Sequence, residues 1–475
     1  MTAPSLKKKW SLNRLWYLWL DKWQRPFFRV AIILGVLGIS AALAYALPQK
    51  YMVFILGIPF AIVGGLVLLQ KPPLGFLILI VGNLFGRISV PPVGLAAYLL
   101  MALTALWLID MVVRRKEIRL VSSPTIIPLI LYIAVAIISF GVGQFPWFPL
   151  SPAPLDSQIG GLAIFVLSFC AFLLSAHQIR DIRWLQGMTY IFVILGALIV
   201  LGGILPQLRQ LNRLLVHPKA PGGSLFWVWL VALSFSQAAF NRKLALPWRV
   251  GLAAVTGVTL YVGIGPGRGW VSGWAPPLVA VIVILWLGAP RIAFPLTFSG
   301  IALIGIAYQQ VVELVLVGDN EYSTVTRLEA WKIVLEIIKV NPILGLGPAN
   351  YYFYTPLYSI LGWYVQFNSH NNYVDIVAQT GLIGLICFLW FVVVTARLGW
   401  KLQRQVPSGG FMQAYVYGCL GGLAGMVVAG MLGDWVLPFV YNVGIEGLRA
   451  SSLGWMFLGG LVAVEQIVAL KSQRA

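Results

Sequence analysis

Apolar runs of about 18 to 22 residues recur from Phe27 to the C-terminus, each long enough to cross a bilayer core of about 30 Å. That repetition leaves one architecture open, a single polytopic helical membrane domain. Composition agrees. Of the 475 residues 60% are hydrophobic and only 10% charged, with a mean hydropathy of +0.88. Soluble globular chains carry about 25% charged residues, so a water-soluble enzyme is excluded. The net charge of +19 would suggest a nucleic-acid partner in a soluble protein, yet no basic stripe with interleaved aromatics lies outside the apolar runs. It reads first as a topology signal.

Splitting the runs at charges and at Pro and Gly clusters predicts fourteen spans, near 27–47, 51–70, 74–90, 94–113, 124–142, 158–177, 184–205, 223–240, 249–265, 271–289, 292–311, 373–396, 411–432 and 451–470. The expected fold class is an all-α integral membrane protein, a polytopic helical bundle of about 12–14 transmembrane helices. Lys7, Lys8, Lys9 and Arg14 precede an amphipathic stretch, Trp16 to Trp23, suited to a membrane interface. The run after it has no small-residue cleavage site and is expected to be a retained helix rather than a signal peptide. With the N-terminus in the cytoplasm, 23 of the 33 Lys and Arg fall on the cytoplasmic side, as the positive-inside rule requires. Both termini are then cytoplasmic. The expected organisation is a basic, amphipathic N-terminus at 1–26, transmembrane helices with short loops at 27–311, a large extracytoplasmic loop at 312–372, C-terminal transmembrane helices at 373–470 and a cytoplasmic tail at 471–475. Cys170, Cys387 and Cys419 lie inside apolar runs without C-x-x-C spacing, so no disulfide framework or zinc site follows.

This orientation places residues 206–222, the turn Gly265 to Trp270 and the segment 312–372 outside. The last predicts an amphipathic helix on the outer face. Thr326 and Glu329 have capping-box spacing, with Leu328, Trp331, Leu335 and Ile338 on one face and Glu329, Lys332, Glu336 and Lys339 on the other. Asn341-Pro342 ends it, and the aromatic stretch Tyr351 to Trp363 is suited to a membrane surface.

Of three histidines, His177 lies at the end of a span beside Gln178 and Arg180, where a structural interfacial place is expected. His217 precedes Pro218 in the basic 206–222 loop and would either meet a negatively charged substrate or simply be solvated. His370, in Asn368-Ser369-His370-Asn371-Asn372-Tyr373, directly precedes a span. The positive end of that helix disfavours imidazolium and keeps the ring able to accept a proton, as a general base must; the plainer alternative is a polar cap with no chemistry. Arg327, expected in the first turn of the amphipathic helix, would bind an anion together with the free backbone N–H groups. Arg268, in Gly265-Pro266-Gly267-Arg268-Gly269-Trp270, has glycines that permit close backbone approach. Either arginine alone reads equally as a snorkelling residue; their shared side with His370 favours a site. Asp375, just inside the span after His370, is an intramembrane ionisable group that would orient a neighbour or pair with an arginine. Asp319-Asn320-Glu321 is a solvated turn or a weak cation site, and Asp434 and Glu446 carry no expectation.

The outer segment resembles a known family. Arg327-Leu328-Glu329-Ala330-Trp331, Asn341-Pro342-Ile343-Leu344-Gly345-Leu346-Gly347, His370-Asn371-Asn372-Tyr373 and Thr380-Gly381-Leu382-Ile383-Gly384 are similar to the core pattern of the O-antigen ligase and polymerase family over about residues 250–395, and Arg268-Gly269 resembles an arginine of its earlier span. Gly267 and Gln379 depart from the serine and the acidic residue common there. The resemblance implies a fold similar to the metal-independent, polyprenyl-dependent glycosyltransferases of GT-C type, placed in a bacterial inner membrane. It implies transfer from an undecaprenyl-diphosphate-linked glycan donor to a hydroxyl of a lipid or glycan acceptor, without a cofactor. By matched position His370 would be the general base and Arg268 and Arg327 would bind the diphosphate, with Asn371, Asn372 and Asp375 as further substrate-binding candidates. Direct attack predicts inversion. Expected partners are therefore the lipid-linked donor, the acceptor and membrane lipids, with no nucleic acid.

A ligase and a polymerase share this chemistry and differ in acceptor; the basic 206–222 loop favours the ligase. A protein acceptor would present the same attacking hydroxyl. A bicarbonate-like small-anion transporter would place ionisable groups near the midplane between matched broken helices. Pro276-Pro277 is expected to break one span, with no counterpart, so surface chemistry is favoured. A scaffold without catalysis would tolerate loss of Arg268, Arg327 and His370 together.

Overall fold

The computed structural model describes residues 62–85, 93–309 and 321–473, with scattered positions between 27 and 45. The amphipathic N-terminus at 1–26, most of the run 27–47 and Asp319-Asn320 lie outside the described residues. Two compact units divide the chain at Pro72. In the first, residues 62–70 are helical and Lys71 N–H closes the helix onto Val67 O at 2.8 Å.

Among the described residues of the second unit, each apolar run from residue 74 onward is helical. These are α1 (Leu74–Phe85), α2 (Leu95–Ile109, continued by a π-helical turn over Asp110–Arg115), α3 (Ile126–Val142), α4 (Leu155–Gln178) and α5 (Ile182–Ile204). A short amphipathic α6 (Pro206–Leu215) precedes α7 (Ser224–Phe240), α8 (Leu246–Ile264), α9 (Val271–Gly288) and α10 (Pro290–Ile306). Then follow α11 (Glu321–Ile338), the single turn α12 (Tyr351–Tyr354), α13 (Asn372–Gln405), α14 (Phe411–Leu432) and α15 (Leu448–Ser472). Among the described residues eight helices are long and apolar enough to span a membrane, and an isolated bridge, Ile360 to Trp363, is the extent of β-structure. The chain is a multi-pass, all-helical membrane protein, as its hydropathy predicts.

The core forms where α14 packs on α7 and α9, and α15 on α4. Lipid offers no hydrophobic drive between helices, so small residues that let backbones approach decide which faces meet. Along α14, Gly421 and Gly425 meet the carbonyls of Ala280 and Pro276 on α9; a Cβ at these positions would lie 2.6 and 2.8 Å from those oxygens. Pro276-Pro277 does not break its span, contrary to expectation. The prolines sit in the first turns of α9, and the Ser272 carbonyl left without a Pro276 N–H accepts Ser224 Oγ at 2.5 Å instead.

Two further expectations change. Helix α11 begins at Glu321, because nothing between Glu321 and Thr326 stops a helix from extending backwards. Thr326 is therefore interior, and Arg327 lies beyond the first turn, away from the free N–H groups. Its buried face is also turned: Ala330, Ile333, Val334, Ile337 and Ile338 enter a cluster with Tyr351, Tyr354, Val377 and Phe439, while Leu328 and Leu335 are 51% and 50% exposed. The charged face holds, with Lys332 paired to Glu329 at 3.3 Å and Lys339 to Glu336 at 2.5 Å.

Candidate functional site

Three segments converge on the first residue of α13. Asn341-Pro342 ends α11, and the Asn341 side chain reaches forward to Gly345 O at 2.9 Å, folding residues 342–349 back onto α13. There α13 is kinked at Gly381 (φ 68°, ψ −174°). Leu346 and Gly347 N–H donate to the carbonyls of Ala378 and Gln379 at 2.9 and 3.1 Å, and Leu382 N–H donates to Pro342 O at 2.8 Å. A Cβ on Gly381 would sit 2.0 Å from Ile343 O. The glycines of the two motifs thus exist for each other. Gln379 joins the same lock, its Oε1 accepting Ala349 N–H at 3.1 Å; an acidic residue there would accept equally.

Above the kink, Asp375 anchors the loop before α13. It is buried, and its Oδ1 accepts the hydroxyls of Tyr351 at 2.5 Å and Ser369 at 2.7 Å. Burial first, then the Asp375 charge, pushes the Tyr351 phenol well above its usual range, so it stays a donor. Ser369 Oγ also accepts Asn371 N–H at 3.0 Å, closing a tight turn whose middle residue is His370. His370 takes a left-handed conformation, φ 49°, uncommon for a residue with a side chain. Asn371 caps α13, its Oδ1 accepting Tyr373 and Val374 N–H at 2.9 and 3.4 Å. Asn372 is tied to the loop before α15, donating to Leu437 O at 2.7 Å and accepting Val436 N–H at 2.8 Å.

That loop closes the site from the far side. Asn442 Nδ2 lies 3.3 Å from His370 Nδ1 and donates to Asp434 Oδ1 at 2.7 Å; Asp434 Oδ2 accepts Phe439 N–H at 2.8 Å. Burial pushes the Asp434 carboxyl up, while these hydrogen bonds favour its ionised form. From α11, Trp331 Nε1 donates to Ser369 O at 2.7 Å, which brings Arg327, one turn earlier, over the same loop. Burial first, and then the Arg327 charge, holds the His370 imidazole below its ordinary range. The downward direction is the one expected from the helix dipole, but here its causes are burial and a guanidinium.

Arg268 comes to the same end of the bundle by another path. Trp270 packs edge-on against Trp435 at 5.8 Å, and Ser272 Oγ donates to Leu432 O at 3.0 Å, so the Gly265–Trp270 turn abuts the loop that holds Asn442. The Arg268 guanidinium is exposed and hydrogen-bonds to none of the described residues. Arg327 is therefore near enough for its charge to act on His370, and the turn that carries Arg268 abuts the 433–444 loop that contacts the ring. Asn371, Asn372 and Asp375 are taken up in holding that loop and His370. Asp434 and Asn442, which carried no expectation, contact the histidine or its support; a carboxylate and an amide in the last loop on the same side were the one available signal.

His217 lies near Glu446, its Nε2 3.9 Å from the Glu446 carboxylate. Glu446 in turn pairs with the fully buried Arg449, whose guanidinium reaches Gly82 O at 2.8 Å.

Fold and site together define a multi-pass membrane protein with a cluster of polar and cationic side chains at one end of its bundle, gathered around a half-buried histidine. Residues 249–389 match the family model described as O-antigen ligase, and over this stretch the resemblance read from the motifs holds. The exopolysaccharide production protein ExoQ of Rhizobium meliloti is 34% identical over 121 residues, an alignment that takes in 23% of this chain and 27% of that relative.

Proposed function

We propose that the chain transfers a glycan from a polyprenyl (undecaprenyl) diphosphate carrier to an acceptor hydroxyl, as an O-antigen ligase-like, inverting and metal-independent glycosyltransferase. The observation that carries this reading is His370 in a left-handed turn, with burial and the Arg327 charge holding its imidazole below the ordinary range. Fixed charges aimed at the place where charge develops are worth most in a water-poor site. As the anomeric carbon leaves the lipid diphosphate, the bonding pair goes to phosphate oxygen, and Arg327 and Arg268 would stabilise the growing charge. Two guanidiniums can do this without a metal ion. A neutral His370 can take the hydroxyl proton, the general-base part expected from the sequence; its neighbours decide which ring nitrogen is free. Asn371, Asn372 and Asp375 fall to support rather than substrate contact in this reading.

The positive-inside bias supports an orientation with this end of the bundle outside the bacterial inner membrane and both termini in the cytoplasm, and the proposed division into 1–26, 27–311, 312–372, 373–470 and 471–475 goes with that orientation. Purified protein in liposomes, given undecaprenyl-diphosphate-linked glycan and an acceptor, is expected to transfer the glycan. Absence of transfer with every lipid or glycan acceptor, together with labelled bicarbonate uptake that Arg327→Ala abolishes, would replace this reading with an anion transporter.

A second reading, an exopolysaccharide or O-antigen polymerase with the same chemistry, is favoured by the name of the ExoQ relative. A deletion strain separates them: lipid-linked full-length chains accumulate when a ligase is lost, single lipid-linked repeat units when a polymerase is lost.

A further inference from the structure

We propose that the end of α13 remote from His370 holds one anionic glycerophospholipid of the surrounding bilayer, its phosphodiester between Arg397, Lys401 and Arg404 and its acyl chains along the helix towards Ile386. Residues 397, 401 and 404 fall on one face of α13, and all three are exposed. At 1.5 Å per residue, Arg397 lies about 35 Å from the start of α13, across a bilayer core of about 30 Å from His370. With Ala396, Trp400 and Gln405 the three cations line a hollow of about 550 Å³. Ala396 is the smallest of the six, and a larger side chain there would fill part of that space.

Cations at the end of a span ordinarily snorkel to the headgroups, which requires no order among them. Here they are gathered and largely unanswered. Among the described residues the one carboxylate within ion-pair reach is Glu465 of α15, 3.8 Å from Lys401 Nζ, so three cations face one acid. Arg404 lies over the Trp400 ring, 6.0 Å from its centroid, which leaves its N–H groups to donate to a phosphate. Trp400 is itself exposed and suits the boundary between hydrocarbon and headgroups. The same face continues in the order of a lipid. Towards the middle of α13, Ile386, Leu389, Trp390 and Val393 are exposed at helical spacing. From Ile386 to Arg397 this stripe runs about 16 Å, close to the half-thickness of the hydrocarbon core, about 15 Å. Chains, interfacial ring and phosphate thus meet apolar side chains, an indole and three cations in turn. A zwitterionic lipid offers the same chains but carries its own cation beside the phosphate, so the charge selects an anionic headgroup.

This inference needs the membrane and not the transferase reading. Native mass spectrometry of the full-length protein, released from detergent with phosphatidylglycerol or phosphatidylcholine added, counts the lipids retained. The wild type is expected to keep one phosphatidylglycerol in preference to phosphatidylcholine. Arg397→Gln, Lys401→Gln and Arg404→Gln combined should lower that retention at least roughly tenfold, since each cation beside an anionic lipid contributes about fivefold. Lys116→Gln, Arg119→Gln and Arg183→Gln combined remove the same charge from exposed positions at the same end, where Gln466 of α15 reaches Ser122 O at 3.4 Å; retention should then be little changed. Ala396→Phe keeps every charge but crowds the hollow, and should also lower retention. Equal loss in the two triple variants, or full retention in the first, makes the binding a diffuse charge effect and overturns the proposal. Thermal unfolding of the wild type is a check that needs no variant. Phosphatidylglycerol should raise the midpoint above that in phosphatidylcholine, and raised salt should narrow the difference. The absence of any preference between the two lipids also overturns the proposal.

Discussion

His177 and His370 lie at opposite ends of the helical bundle and show how the same side chain becomes inert or available. At the end of α4, His177 Nδ1 donates to Leu173 O at 2.8 Å and Nε2 accepts Val121 N–H at 2.6 Å. Both ring nitrogens are consumed by backbone, and Trp107 packs on the ring at 4.9 Å. His370 has one nitrogen on Asn442, a left-handed backbone, and a cation for a neighbour. A histidine that satisfies backbone groups holds the fold. One that is itself held, with a nitrogen to spare, is poised for a ligand.

The contrast can be broken most directly by losing charge at one end. Arg327→Ala is expected to lower glycan transfer roughly 100- to 1000-fold with the folded fraction unchanged, measured by product formation beside size-exclusion recovery; parity with wild type would dissolve the distinction between the two ends. Gly381→Ala attacks the platform beneath His370. Its backbone region is one reserved for glycine, costing of order 1–3 kcal/mol for any other residue, and the added methyl meets Ile343 O. Thermal unfolding in detergent should show a large loss of stability, and an unchanged midpoint would mean that the 342–349 turn does not clasp α13. His177→Leu is expected to cost about 1–3 kcal/mol through the orphaned Val121 N–H, with transfer per folded molecule preserved. A fall in specific activity without a fall in stability would make His177 more than a brace.

A pH series sharpens the same comparison. Because His370 titrates below its ordinary 6.5 when folded, the unfolded chain binds more protons there and stability falls as pH drops through that window. Transfer should fall on the acid side with an apparent pKa under 6.5, and Arg327→Gln should move that limb upward. A limb that stays put would separate Arg327 from the ring. At the small end, Lys332→Ala and Lys339→Ala remove exposed pairs on α11 and should change stability by less than about 1 kcal/mol.

Hydropathy made the spans legible because lipid imposes length and composition on each one. The face of α11 was not legible, since it carries two apolar rows: Leu328 with Leu335, and Ala330 with Ile333, Val334 and Ile337. Only the packing of Tyr351, Tyr354 and Phe439 decides which row is buried. Arg327 and His370 stood out as polar groups on the same expected side. Asn442 did not, because it is 72 residues from His370 along the chain and has no local pattern of its own. Asp375 was visible as an intramembrane acid, but its hydroxyl partners follow from the turn at Ser369 and the docking of α12.

The loop between α14 and α15 also bears on modularity. The family match ends at residue 389, whereas Asp434, Asn442 and the carbonyl of Leu437 that fastens Asn372 all come later. A chimaera that grafts only the recognisable stretch into a relative would import the histidine and leave its brace behind. Swapping residues 433–447 alone would do the reverse. Such exchanges ask whether relatives that share a reaction centre have inherited one way of holding it or have each found their own.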